Sequence, residues 1–327
     1  MEWYRAFDPT DVRVLVVAEI GINHLGSEEY ALRLIDEAVK CGADAVKFQI
    51  YRTTEFYHPD SPVREIFAKY ELSYEAFGRL RQYAEKKGVL FFATPLDFSS
   101  LRWMISEKIP VIKVASADIT FEPFLREIGN YVRREKAYAI LSTGFVGLSE
   151  IQKAVRFFPK ERLGLLYCVS RYPSEAGDMD LAFIKTLSER FRTTVGFSDH
   201  SLETVFSVAA VALGARIIER HFTDNAKLQE ADHPVSLDPE RFGKMVAEIR
   251  QLEVAIGCGK KKITDFEQKI RPLSMRGLYA ARDIHSGEMI TGSDVLCARP
   301  GEGITLRKYD TYVGKRARKD YRAYEKL

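Results

Sequence analysis

The sequence predicts an α/β fold: a (β/α)8 TIM barrel over residues 1–257, then a linker over 258–274 and a small C-terminal domain over 275–327. Three observations carry this. Eight apolar, β-rich runs recur, each followed by a segment of helical spacing, which is the pattern of βα units around a closed parallel sheet. The polar residues of these runs collect at their C-terminal ends. Beyond residue 257 the chain turns polar and basic.

In chain order the runs are residues 14–21 (VLVVAEIG), 44–50 (DAVKFQI), 89–95 (VLFFATP), 111–116 (VIKVAS), 137–144 (AYAILSTG), 163–170 (LGLLYCVS), 193–200 (TTVGFSDH) and 216–222 (RIIERHF). Period and caps make the helices legible. Ser27 is a good N-cap, Glu28 and Glu29 fill the first turn, and Ala31, Leu34, Ile35 and Ala38 form one stripe that Gly42 ends. After the eighth run, Asp238 and Pro239 supply an N-cap and a first-turn proline. Phe242, Met245, Val246, Ile249 and Ile256 form the apolar face, and Gly257 closes it. Residues 258–274 read as an exposed linker. The C-terminal block carries a strand-like GLYAARDI, a turn at Gly287, a short ITGSDV stretch and the loop ARPGEG, and is too short for a large core of its own.

Composition excludes several classes of function. The 327 residues are 46% hydrophobic and 29% charged, the balance of a soluble globular protein rather than a disordered one. A net charge of +3 offers no broad basic surface to a nucleic acid, so any anion is bound locally. The basic tail 315–326 interleaves acids and aromatics and reads as a solvated face. Cys41, Cys168, Cys258 and Cys297 lie far apart with no C-x-x-C pair, which points to reduced thiols and a cytoplasmic setting. Neither an export signal nor a membrane span is legible.

Active sites of such barrels lie at the C-terminal strand ends. There the sequence places Glu19; Lys47 and Gln49; Thr94; Lys113, Ser116 and Asp118; Ser142 and Thr143; Ser170 and Tyr172; Ser198, Asp199 and His200; Glu219 and His221. Two lysines among hydroxyls suit a compact phosphate or carboxylate. Either lysine serves equally as a Schiff-base nucleophile, and spacing does not separate these uses. His200 and His221 end consecutive strands, so their imidazoles converge closely enough to hold one divalent metal with water and substrate oxygens. Glu19, Asp118 and Asp232 add carboxylates for hydroxyls or protons. The residues alone describe a metal-assisted barrel enzyme acting on a small anion.

Several long segments, in order, carry a resemblance that covers nearly the whole chain. They are AEIGINHLGS (18–27), GADAVKFQ (42–49), ATPLDFSS (93–100), KVASADIT (113–120), ILSTG (140–144), VGFSDHSLE (195–203) and VALGARIIERHFTD (211–224). Together they resemble the sialic acid synthase family. SGEMIT and ARPGEG resemble the antifreeze-like (SAF, β-clip) domain that follows the barrel there. The resemblance implies condensation of phosphoenolpyruvate with a 2-acetamido sugar such as N-acetylmannosamine, or with a diacetamido sugar leading to legionaminic or pseudaminic acid. It implies that Lys47, Thr94, Lys113, Ser116, Ser142 and Ser198 hold phosphoenolpyruvate, that His200 and His221 bind manganese or magnesium, and that Glu19 sits near the reacting centre. Gln49, Asp118, Tyr172 and Asp232 match sugar-facing positions. Arg299 matches an arginine inserted into the other subunit's active site, which implies a domain-swapped homodimer.

Departures from the family pattern fall on the sugar side. Asp118 stands where Glu is common and Ser170 where Asn is frequent; YPSEAG lacks a second proline; QEADH replaces a G-P-D-H motif; and Glu302 stands where Asn is frequent. Two other readings compete: a Schiff-base aldolase using Lys47 or Lys113, and a non-catalytic saccharide-binding protein.

Overall fold

The computed structural model describes residues 2–8, 11–257, 259–301 and 306–327, so Cys258 and Glu302 lie outside the described residues. The eight runs become eight parallel strands in a closed barrel ordered β1 to β8. They are β1 (Leu15–Gly21), β2 (Ala45–Ile50), β3 (Leu90–Pro95), β4 (Val111–Val114), β5 (Tyr138–Ser142), β6 (Leu163–Cys168), β7 (Thr194–Asp199) and β8 (Ile217–His221). Each is buried on both faces, which is why the runs read as nearly continuous apolar segments rather than as alternating ones.

One main helix follows each strand: α1 (Glu28–Lys40), α2 (Tyr74–Lys86), α3 (Phe98–Ser106), α4 (Glu122–Glu135), α5 (Leu148–Ala154), α6 (Phe183–Phe191), α7 (Val205–Ala212) and α8 (Pro239–Ile256). The expected stripe of α1 is buried in full, and Ser27 accepts a hydrogen bond from the Tyr30 amide at 3.2 Å. On α8, Phe242, Met245, Val246 and Ile249 are buried, while Ile256 in the last turn is only half-buried. Asp238 caps α8 by accepting from the Arg241 amide at 2.9 Å. Replacing Asp238 with alanine leaves that amide without its side-chain partner. We expect a loss of about 1 kcal/mol and a melting midpoint about 2–4 °C lower; an unchanged midpoint shows that the cap contributes nothing.

The chain divides into two compact units, residues 1–257 and 258–327. The supposed linker is partly ordered. Residues Asp265–Ser274 form a helix, α9, belonging to the second unit, with Thr264 and Glu267 making a reciprocal capping box. None of its side chains is buried. Beyond it, β9 (Gly277–Ala280) pairs antiparallel with β10 (Val295–Ala298). Leu278, Ala280, Ile284, Ile290, Val295, Ala317, Tyr321 and Leu327 make a small core of the unit's own. Among the described residues, no helix is long and apolar enough to cross a membrane.

Candidate active site

Strand register assembles the site. On β8, Glu219 and His221 share one face because strand side chains alternate. Glu219 lies beside Ser198 of β7, His221 lies beside Glu19 of β1, and Glu19 lies beside Lys47 of β2. The result is a charged ring on a buried floor. Lys47 and Lys113 are each only 3% exposed. Lys47 Nζ is 2.8 Å from Glu19 Oε2, donates to Thr94 Oγ1 at 3.1 Å and lies 3.5 Å from Glu219 Oε1. Lys113 Nζ donates to Ser142 Oγ at 2.6 Å and to the Val114 carbonyl at 3.2 Å, with Glu219 Oε1 3.8 Å away.

Burial and charge pull against each other in this ring. Burial pushes the Glu19 carboxyl up to about 7, only partly opposed by Lys47. Burial also lowers Lys113, against the pull of Glu219. Lys47 stays firmly protonated, because Glu19 and Glu219 outweigh its burial. A carboxyl poised near neutrality is suited to giving and taking protons.

The two imidazoles lie side by side, their ring centroids 5.8 Å apart. His200 Nδ1 is held by the Val169 carbonyl at 2.7 Å, which leaves Nε2 as the acceptor nitrogen, 3.2 Å from both the Tyr172 and the Ser198 hydroxyls. His221 Nδ1 is buried without a hydrogen-bond partner, 3.5 Å from Asp232 Oδ2. Burial holds both rings neutral, pushed down to about 4 and about 3. Two neutral imidazoles, one with an orphaned nitrogen and one with its tautomer fixed by a carbonyl, fit a divalent metal whose other positions are open. Among the described residues there is no ready-made group of three or more His, Cys, Asp or Glu ligands. These two histidines are the residues that would hold such a metal.

All the candidate residues except Asp118, Asp232 and Arg299 line one cavity of about 240 Å³. Asp118 ends a short 3-10 turn, Ser116–Asp118, beyond β4 and is half-buried. Asp232 sits above His221, its amide held by Asn23 Oδ1 at 2.9 Å. Arg299 is an exposed residue of the second unit. Ser116 accepts from the Gly144 amide at 3.0 Å, and a Cβ on Gly144 would meet Ser170 Oγ at 2.2 Å, so a larger residue here would displace the Ser170 hydroxyl.

Burial pushes the Asp118 carboxyl up to about 6, opposed by Lys113. A folded pKa above the unfolded one means that the folded chain binds the extra proton. Stability is therefore lost as pH rises from about 4 to about 6. We expect Asp118→Asn to raise stability at pH 7 by about 1–2 kcal/mol, less than the full shift implies because the side chain partly meets solvent. The gain vanishes near pH 4. Melting curves at the two pH values check this, and an equal effect at both contradicts it.

Three features escaped the sequence reading. Glu219 stood at a strand end without a role, yet it bridges both lysines and accepts from Ser198 Oγ at 3.2 Å. Its two-residue spacing from His221 was the available signal. Arg220, on the opposite face of β8, forms a fully buried ion pair with Asp199, whose carboxylate also accepts from Ser201 and Ser207. This pair locks the strand ends that carry both histidines. Aromatic residues at the mouth, Phe56, Tyr57, Phe67 and Phe145, had no periodic signature.

The NeuB family model matches residues 34–261, and the SAF domain model matches residues 276–323. The chain belongs to the NeuB family, the nonulosonic acid synthases. It is 32% identical to the N,N'-diacetyllegionaminic acid synthase of Campylobacter jejuni, over 96% of this chain and 98% of that one. It is 35% identical to the pseudaminic acid synthase of the same species, over 95% and 94%. The crystal structure of N-acetylneuraminic acid synthetase from Leptospira borgpetersenii, in complex with citrate, superposes with a TM-score of 0.74 at 35% identity, covering 79% of this chain and 90% of that one. The resemblance read from the motifs and the SAF domain are both shown. For a NeuB family member, the barrel mouth is where substrate-specific differences are to be sought.

Proposed function

We propose that the chain is a phosphoenolpyruvate-dependent synthase that joins this three-carbon enol phosphate to the aldehyde of a 2-acetamido sugar, giving a nine-carbon 2-keto acid and phosphate. The observation that carries the reading is the buried floor: two lysines, each hydrogen-bonded to a hydroxyl, in one cavity with Ser116 and Ser198. A dry cationic floor lined with hydroxyl donors suits a carboxylate and a phosphate held together.

In this reading Lys47, Thr94, Lys113, Ser116, Ser142 and Ser198 bind and orient phosphoenolpyruvate, leaving its C3 turned toward the mouth. The C2=C3 π pair forms a bond from that C3 to the sugar aldehyde carbon as the carbonyl π bond opens; the aldehyde oxygen takes a proton and C2 is left electron-deficient. Water then adds at C2, with Glu19 placed to take its proton, and the C2–oxygen bond to phosphate breaks. His200 and His221 would hold manganese or magnesium, which when bound supplies Lewis-acid polarisation of a carbonyl oxygen. Gln49, Tyr172, Asp118 and Asp232 lie in or beside the mouth, where the acceptor is positioned. Arg299 would complete the site from the other subunit of a domain-swapped dimer, in the cytoplasm. A panel of acetamido and diacetamido sugars with phosphate release as the readout tests the reading. We expect phosphate release that depends on one acceptor; none with any acceptor overturns it.

A further inference from the structure

Phe145 is conspicuous. It is 78% exposed although it lines the catalytic cavity, and its backbone lies in the left-handed region at φ +62°. A bulky residue in that region costs stability, as does leaving a large apolar side chain in water. The surrounding turn leaves the chain little choice. Thr143 is tied to the Leu166 carbonyl by its amide and its hydroxyl, both at 3.0 Å; the Gly144 amide is tied to Ser116; and the Gly147 amide donates to Glu150 at 2.8 Å. A residue pinned on both sides, strained and exposed at the rim of a site is the pattern of a ligand contact rather than of packing.

The cavity is divided by chemistry. Its charged lining residues Glu19, Lys47, Lys113 and Glu219 are buried, whereas the aromatic ones Phe56, Tyr57 and Phe67 are half-buried and Phe145 is exposed, which puts the aromatics toward the mouth. We propose that Phe145 is a specificity-determining residue whose ring packs against a methyl group of the acceptor, so that the chain prefers a deoxy, diacetamido sugar to N-acetylmannosamine. This rests on the reading of the cavity as a site for phosphoenolpyruvate and a sugar. An acceptor with a methyl in place of a terminal hydroxyl gains apolar contact at this rim. The hydroxylated sugar gains less and turns a polar group toward an aromatic wall.

The test compares Phe145→Ala and Phe145→Gly with the parent. Glycine suits the left-handed backbone, so that variant folds and melts no lower than the parent. The measurement is kcat/KM for a 2,4-diacetamido-2,4,6-trideoxyhexose and for N-acetylmannosamine, with KM for phosphoenolpyruvate alongside. We expect the parent to favour the diacetamido sugar. Both variants then lose about tenfold on it and less than about threefold on N-acetylmannosamine, with KM for phosphoenolpyruvate unchanged. A preference ratio that the variants leave intact overturns the proposal, as does a parent that favours N-acetylmannosamine. An intact ratio together with a weakened dimer shows instead that Phe145 serves a subunit interface. If the parent releases no phosphate with any acceptor, the functional reading itself fails and this inference fails with it.

Discussion

We expect replacing Lys113 with methionine to lower kcat/KM for phosphoenolpyruvate by about ten- to a hundredfold. Methionine is close to lysine in length and volume, so the barrel interior stays filled. What disappears is a buried cation whose two observed hydrogen bonds, to Ser142 and the Val114 carbonyl, aim it across the floor of the cavity. Each charge-assisted bond to an anion is worth about 1.5–3 kcal/mol, and about 1.4 kcal/mol is tenfold in binding. Ser142 and the Val114 carbonyl take two of the three ammonium donors, so one such bond to bound phosphoenolpyruvate gives the predicted range. The substitution also leaves Glu219 with Lys47 as its remaining lysine partner, so melting curves belong beside the kinetics. Loss of turnover with a melting midpoint near that of the parent supports the role. Parent-like kinetics at low phosphoenolpyruvate contradict it.

We expect chelation of divalent metal to stop turnover and manganese to restore it. His221 Nδ1 is buried without a hydrogen-bond partner, a costly arrangement unless something else satisfies it. His200 presents Nε2 because the Val169 carbonyl occupies its other nitrogen. We expect His200→Ala, which removes one of the two proposed ligands, to weaken manganese binding to the metal-free protein by about a hundredfold. Paramagnetic titration follows that binding without any turnover. Full turnover in metal-free protein with chelator present contradicts the assignment, and so does manganese affinity that His200→Ala leaves unchanged.

The sequence exposed what depends on local periodicity and hid what depends on packing between distant segments. Runs such as VLVVAEIG had to be strands buried on both faces, and Ser27 and Asp238 announced the helices they cap. The site was legible because a barrel converts a strand end into a position on one rim, so Lys47, Lys113, His200 and His221 could be placed before any coordinates. Helix α9 was concealed by its polar composition, although the Thr264 and Glu267 capping box was there to be read. Asp118 and Asp232 follow their strands by a turn or a loop, where register no longer fixes direction: Ser116 lines the cavity and Asp118 of the same turn does not. The left-handed backbone at Phe145 follows from anchors at Ser116, Leu166 and Glu150, the first two on other parts of the barrel, and no local pattern encodes it.

The central claim is that the buried lysines bind an enol phosphate and do not form an imine. Incubating the protein with phosphoenolpyruvate, manganese and the acceptor preferred in the panel, then weighing the products by mass spectrometry, tests this most directly. A parallel sample with pyruvate and borohydride completes the measurement. The account predicts one nine-carbon 2-keto acid per phosphate released and no mass added to the protein. A reduced pyruvyl adduct on Lys47 or Lys113, or phosphate release without the nine-carbon product, would contradict it.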